Sequence, residues 1–152
     1  MSIDFYHLGF AVPDLDRAAA DLTAVAGLDW SPARDGELGA WRYRIAFTTR
    51  APYLELIEGP PGSPWDSLAG ARFDHLGWWA EALLDSSDQL TAAGLPVDFS
   101  GCPYGRSFVY HRVDSIGARV ELVAASQQAG FFAQWDAAAP IQPALPLRKD
   151  SQ

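Results

Sequence analysis

The chain has 152 residues, about half of them apolar, which suits one compact domain with a sizeable core. With 19 acidic against 11 basic side chains the net charge is −8, a balance that repels a phosphate backbone, so no nucleic-acid partner is expected. The one cysteine, Cys102, rules out an intrachain disulfide, and no apolar run resembles a signal peptide or is long enough to cross a bilayer; a cytoplasmic protein with no membrane partner is expected.

Phe5 to Val12 is an apolar run of strand formers that Pro13-Asp14 stops. Leu15, Ala18, Ala19, Leu22 and Val25 share one face of a helix that Asp14 or Asp16 can cap and Gly27 ends. After a turn-rich patch, Ser31 to Gly36, residues Ala40 to Thr48 alternate: Trp41, Tyr43, Ile45 and Phe47 on one side, Arg42, Arg44 and Ala46 on the other. Tyr53 to Ile57 is the next strand, and Gly59-Pro60-Pro61-Gly62-Ser63-Pro64 reads as a linker. The order then repeats, with a strand over Phe73–Trp79 and a helix over Ala82–Ala93 stopped by Gly94. Strands over Phe108–Val113 and Ala118–Ala124 follow, with a turn between them. From Ser126 periodicity is lost. The Phe131–Trp135 cluster is too apolar to stay in water and is expected to pack on the domain or on a second subunit, while Ala139 to Pro146 reads as an extended tail.

The two halves are related in detail. Phe5-Tyr6-His7-Leu8-Gly9 recurs as Phe73-Asp74-His75-Leu76-Gly77, and Leu22-Thr23-Ala24 as Leu90-Thr91-Ala92. Each half closes on an apolar strand carrying one glutamate, Glu55 in Leu54-Glu55-Leu56 and Glu121 in Val120-Glu121-Leu122. If a pseudo-two-fold axis relates the halves, His7, Glu55, His75 and Glu121 converge on it. Two imidazoles and two carboxylates suit a divalent first-row metal, and burying two glutamates together is costly without a cation between them. A strand histidine taken alone is more commonly a packed residue; the paired positions and nearly equal His-to-Glu spacing favour a shared site.

Three further residues are candidates for substrate contact. Trp79 shares strand parity with His75 and Gly77 and could form an aromatic wall or simply pack the core. Tyr43 could line cleft or core, and His111 could be a proton relay or a sheet-edge histidine. Arg42 and Arg44 read better as a solvated face than as an anion site.

The sequence resembles the vicinal oxygen chelate superfamily, which includes glyoxalase I, methylmalonyl-CoA epimerase, extradiol dioxygenases and bleomycin resistance proteins. The carriers are His7-Leu8-Gly9 with Val12-Pro13-Asp14-Leu15, Tyr53-Leu54-Glu55-Leu56-Ile57-Glu58, Asp74-His75-Leu76-Gly77 and Arg119-Val120-Glu121-Leu122-Val123, across residues 3 to 125. The resemblance implies an α+β fold in which two βαβββ modules pair into a curled eight-stranded sheet around a central cleft. One domain over residues 1–125 is expected, with modules at 3–58 and 73–125, a linker at 59–72 and an extension over 126–152. His7, Glu55, His75 and Glu121 match the positions of the four ligands of glyoxalase I and its relatives, so one divalent ion (Ni, Co, Zn, Mn or Fe) is implied. It further implies a lyase or isomerase that chelates adjacent oxygens of a small substrate and stabilises an enolate or enediolate, with Glu121, then Glu55, as the catalytic base, and a homodimer. Epimerases usually carry another glutamate just before the strand matching Ile45-Ala46-Phe47; Ala40 and Trp41 stand there, which counts against that activity. A binding protein without catalysis and an Fe(II)-dependent dioxygenase are the alternatives.

Overall fold

The computed structural model describes residues 2–137; the expected tail over Ala139–Pro146 lies outside the described residues. The first module runs β1 (Ile3–Ala11), α1 (Leu15–Ala26), β2 (Arg34–Leu38), β3 (Trp41–Phe47) and β4 (Tyr53–Glu58). The second runs β5 (Arg72–Ala80), α2 (Leu83–Ala92), β6 (Val97–Ser100), β7 (Phe108–Val113) and β8 (Ala118–Ala124). A last helix, α3 (Gln128–Trp135), follows. All eight strands form one curled sheet in the order β2-β3-β4-β1-β5-β8-β7-β6. Each module pairs its first and last strands in parallel, β1 with β4 and β5 with β8, and the modules join through antiparallel β1 and β5. The paired βαβββ architecture is therefore the one expected.

Local chemistry accounts for the elements. Asp14 caps α1, accepting from the Arg17 amide at 3.0 Å, while Glu58 accepts from the Leu15 amide at 2.8 Å. Leu15 is buried with Val12, Ala46 and Leu56, and Ala18, Ala19 and Leu22 pack beside them, so α1 covers the outer face of β3 and β4. Gly27 ends α1 in the left-handed conformation, φ 63°. α2 covers β7 and β8 in the same way. The alternation of β3 holds: Ala46 faces α1 and Arg44 pairs with Asp16, while Tyr43, Ile45 and Phe47 face the inner side.

Two short strands depart from the expectation. β2 begins inside the patch read as turns, because Arg34 to Leu38 pair residue by residue with Ile45 to Trp41. β6 is only four residues long and carries no alternation strong enough to announce it. The Phe131–Trp135 cluster packs within the chain: Phe131 and Trp135, one helical turn apart, join Phe47, Tyr53 and Trp79 in a buried cluster over the inner face. No helix among the described residues is long and apolar enough to cross a membrane.

Candidate metal centre

The repeated F-x-H-L-G motif sits where the modules meet. In the register of β1 on β5, His7 lies opposite Gly77 and His75 opposite Gly9, so each imidazole lies over the other motif's glycine. A Cβ on Gly77 would stand 2.0 Å from Cε1 of His7, and one on Gly9 would stand 2.1 Å from Cε1 of His75. The glycines are thus required by close approach of the opposing ring.

The imidazoles meet tip to tip, their Nε2 atoms 2.9 Å apart. Glu55 on β4 and Glu121 on β8 close the group. His7 Nε2 is 3.2 Å from Glu55 and 3.1 Å from Glu121, and His75 Nε2 is 3.6 and 3.2 Å from the same carboxylates. One donor atom from each of the four residues lies within 4.8 Å of every other, and all four residues are buried. Such donor separations match the edges of a coordination polyhedron: donors about 2.1 Å from an ion stand about 3.0 to 3.4 Å from one another.

The donor chemistry also fits a cation. Glu121 Oε2 is buried and has no hydrogen bond although it lies 3.1 and 3.2 Å from the two imidazole Nε2 atoms, an orphaned acceptor that a cation in the space between the four donors would satisfy. Nδ1 of His75 lies 2.8 Å from Asp74 Oδ2, which in the neutral ring fixes the proton on Nδ1 and leaves the Nε2 lone pair facing that space. Asp74 is itself held by Arg119 at 2.6 Å, and Arg119 reaches the Pro64 carbonyl at 2.9 Å and Asp98 at 3.3 Å. Burial alone would push both histidines toward neutrality, yet the facing carboxylates outweigh it and raise both, His75 the more strongly. Burial likewise pushes Glu55 and Glu121 up, and the imidazoles, His75 foremost, bring both below the usual carboxylate range. Without a metal the four groups act as each other's counter-ions.

A β-bulge precedes each histidine. The pairing of β1 with β5 skips Tyr6 on one strand and Asp74 on the other. The extra residue turns each of these side chains to the histidine's own side, which strict alternation would not allow. Asp74 therefore reaches His75, while Tyr6 stacks on Trp79 with ring centroids 3.7 Å apart.

Glu55 and Glu121 open onto a cavity of about 220 Å³ walled by Tyr6, Tyr43, Phe47, Trp65, Tyr110 and Phe131, among others. Tyr43 is on that wall. Trp79 faces the same side but does not line the cavity, because Tyr6 and Phe131 cover it and leave it 4% exposed. His111 is neither in the cleft nor at a sheet edge. It lies on β7 one residue past the cavity-facing Tyr110, so it points to the outer face, where Nε2 meets Ser87 of α2 and Nδ1 meets the Leu95 carbonyl, each at 2.8 Å. Trp65 had no signal beyond its tryptophan. The linker folds inward, and its indole donates to Tyr110 Oη at 3.0 Å. Asp74 and Tyr6 were in view within the repeat, at its one variable position inside F-x-H-L-G.

A family model described as Glyoxalase/Bleomycin resistance protein/Dioxygenase superfamily matches residues 6–113. No curated protein matches the sequence. Among solved structures, a hypothetical protein from Bacillus halodurans is 17% identical with a TM-score of 0.64, covering 82% of this chain and 95% of that one. A Streptomyces coelicolor methylmalonyl-CoA epimerase in complex with 2-nitronate-propionyl-CoA is 18% identical with a TM-score of 0.59, covering 80% and 96%. A 4-hydroxymandelate synthase, also from Streptomyces coelicolor, is 15% identical with a TM-score of 0.57, covering 88% of this chain and 52% of that one. At these identities the structures speak for the fold, and the family model, spanning well over half the sequence, speaks for descent. The chain belongs to the glyoxalase, bleomycin resistance protein and dioxygenase superfamily.

Proposed function

We propose that the protein is a metal-dependent lyase or isomerase of the glyoxalase type, acting on a small organic molecule with two adjacent oxygens. The observation that carries this reading is the convergence of His7, Glu55, His75 and Glu121, with mutually close donor atoms, at the end of a small aromatic cavity. These four residues would hold one divalent ion, and His/Glu donor sets accept Ni, Co, Zn, Mn or Fe. When bound, the ion supplies Lewis-acid polarisation of the substrate oxygens and eases the negative charge that develops as a proton leaves the neighbouring carbon.

The chain's own residues do the rest. Glu121 takes the proton from substrate carbon at a carboxylate oxygen and returns it to the adjacent carbon; Glu55, the other cavity-facing carboxylate, is the second choice. Asp74 keeps the His75 ring in one tautomer and orientation. Phe131 and Trp65 narrow the approach and exclude water, and Tyr43 lies against the substrate. The cavity is smaller than the roughly 300 to 1,000 Å³ usual for drug-sized ligands, so the substrate is small.

Metal analysis of the purified protein should find about one divalent ion per chain, lost in His75→Ala. Under anaerobic conditions the loaded protein should exchange deuterium into the carbon beside the adjacent oxygens of 2-hydroxyketones or 2-oxoaldehyde hemithioacetals, and Glu121→Gln should abolish that exchange. Protein without stoichiometric metal and indifferent to chelators overturns the reading. The aromatic wall also favours a second reading, a binding protein without turnover, which tight ligand binding indifferent to Glu121→Gln would support. A homodimer is proposed as well, supported by the partly exposed apolar row of Phe5, Phe10, Phe73 and Trp78 on the outer face of β1 and β5. Sedimentation as a monomer would contradict it.

A further inference from the structure

Among the described residues lining the cavity that ends on Glu55 and Glu121, Arg106 is the one basic side chain. Arg106 also lines a wider hollow of about 800 Å³ beside the β2–β3 hairpin, and Tyr43 is the other residue common to both spaces. Arg106 is exposed while Glu55 and Glu121 are buried, so the guanidinium stands at the solvent end of the cavity.

Local structure holds it there. After β6 the chain makes a short 3-10 turn over Cys102–Tyr104, Gly105 takes the left-handed conformation at φ 75°, and the Arg106 amide bonds the Gly101 carbonyl at 3.0 Å. The Arg106 side chain then crosses to the other module, Nη2 donating to the Glu37 carbonyl at 3.0 Å. That bond leaves Nε and Nη1 for a second acceptor.

The charge has no protein counter-ion among the described residues. Arg42 pairs with Glu37 at 3.2 Å and Arg44 with Asp16 at 3.1 Å, whereas among the described residues Arg106 meets only a neutral carbonyl. An exposed guanidinium tethered by one bond, with free donors beside an apolar cavity, is suited to planar recognition of a carboxylate. Asp35, Glu37 and Glu58 line the same outer hollow, and their charge disfavours a phosphate dianion more than a carboxylate monoanion.

We propose that Arg106 binds the carboxylate of an organic-acid substrate whose single-ring-sized apolar body fills the cavity and whose adjacent oxygens, at the opposite end, face His7, Glu55, His75 and Glu121. The proposal rests on the function given above only for the oxygens at that far end. It makes Arg106 and Tyr43 the residues that select for substrate class at the mouth.

3,4-Dihydroxybenzoate has this layout, with adjacent hydroxyls, one ring and an opposed carboxylate, and 3,4-dihydroxybenzamide differs from it by the charge. Binding of both to the Zn(II)-loaded protein is measured by calorimetry. The acid should bind at least tenfold more tightly than the amide, about 1.4 kcal/mol. Arg106→Gln should bring the two within twofold of each other, Arg106→Lys should keep part of the preference, and Zn(II) affinity should stay at the wild-type value in both variants. Equal or absent binding of acid and amide, or a preference that survives Arg106→Gln, overturns the proposal. So does inorganic phosphate displacing the acid at lower concentration than benzoate does. If the wild type takes up no Zn(II), the metal reading fails by itself, and the acid-to-amide ratio on the metal-free protein still decides the role of Arg106.

Discussion

Gly77→Ala probes the proposed centre without substituting any of its four donors. The added Cβ would stand 2.0 Å from Cε1 and 2.1 Å from Nδ1 of His7. Carbon contacts are comfortable at about 3.5 Å or more, so the imidazole has to retreat by about 1.5 Å. It has nowhere to go cheaply, because the rings of Tyr6, Phe47 and His75 surround it with centroids 4.3, 5.5 and 5.0 Å away. Overpacking of this kind costs about 1 to 3 kcal/mol of stability. The larger effect falls on the site, since the retreat takes Nε2 away from the space it shares with Glu55 and Glu121. Changes that merely misorient a ligand weaken metal binding about 10- to 100-fold, and displacement of a ligand itself is expected at the upper end, about 100-fold. Calorimetric titration with Zn(II) or Ni(II) measures that loss, and urea unfolding of the metal-free protein measures the packing cost. Gly9→Ala should act alike through His75. Gly130→Ala is the control, since nothing lies within 4 Å of its Cβ position inside α3; it should leave metal affinity unchanged and gain up to about 1 kcal/mol of helix stability. Metal affinity within threefold of wild type in Gly77→Ala would refute the reasoning.

Asp74→Asn keeps the shape of the bulge but removes the charge that orders His75 and Arg119, so metal affinity should fall about 10- to 100-fold by calorimetry, and an unchanged affinity would deny Asp74 a positioning role. His111→Ala empties a fully buried site and strands Ser87 and the Leu95 carbonyl; urea melts should show a loss of about 2 to 4 kcal/mol, with metal affinity unaltered because the residue lies behind the sheet. In the metal-free protein the raised histidines contribute stability present in full below their ordinary pKa of 6.5 and lost as pH climbs through their folded values. The lowered glutamates contribute stability present above 4.5 and lost as pH falls through theirs, so the urea midpoint should peak between those pH values. Metal uptake in that window should release protons into a weakly buffered solution, because ligating imidazoles must be neutral. A flat profile without proton release would contradict the mutual pairing of the four groups.

The four donors were legible because duplication writes the same residue at the same place twice, and β3 because its alternation spans seven residues. Alternation fails where the chain adds a residue or where a neighbour comes to lie on top. Counting by twos puts Tyr6 and Asp74 on the face away from their histidines, and only the pairing of β1 with β5 reveals the two bulges. The same count puts Trp79 on the correct face without showing that Phe131 covers it. α3 gave no warning because Gln128–Trp135 has no polar face to set off its apolar one; it is held by Phe131 and Trp135 on a surface built from β1, β3, β4 and β5. Trp65 was hidden in a Pro- and Gly-rich stretch that reads as connector, and its burial depends on Tyr110 and Tyr43, far away in sequence.

The places where the two halves differ say as much about the site as those where they agree. Within F-x-H-L-G the variable position is the bulge residue beside the histidine, Tyr6 in one half and Asp74 in the other. Asp74 ties His75 into a buried chain of charge that ends on Arg119 and Asp98. Tyr6 has no such reach. Nδ1 of His7 is left without a partner, and the phenol instead joins Trp79 and Phe131. An otherwise symmetric set of donors is thereby given two unlike flanks. One is polar and rigid, fixing a ligand from behind. The other is aromatic and capped by α3, which leaves the side bounded by Tyr43, Phe108 and Arg106 as the approach. Exchanging the two residues, Tyr6→Asp with Asp74→Tyr, should transfer the ordered tautomer from His75 to His7. Nitrogen chemical shifts of the imidazoles in the metal-free protein, recorded above the pH at which both rings have become neutral, would report that transfer, and a pattern unchanged by the exchange would mean that the bulges do not orient the rings.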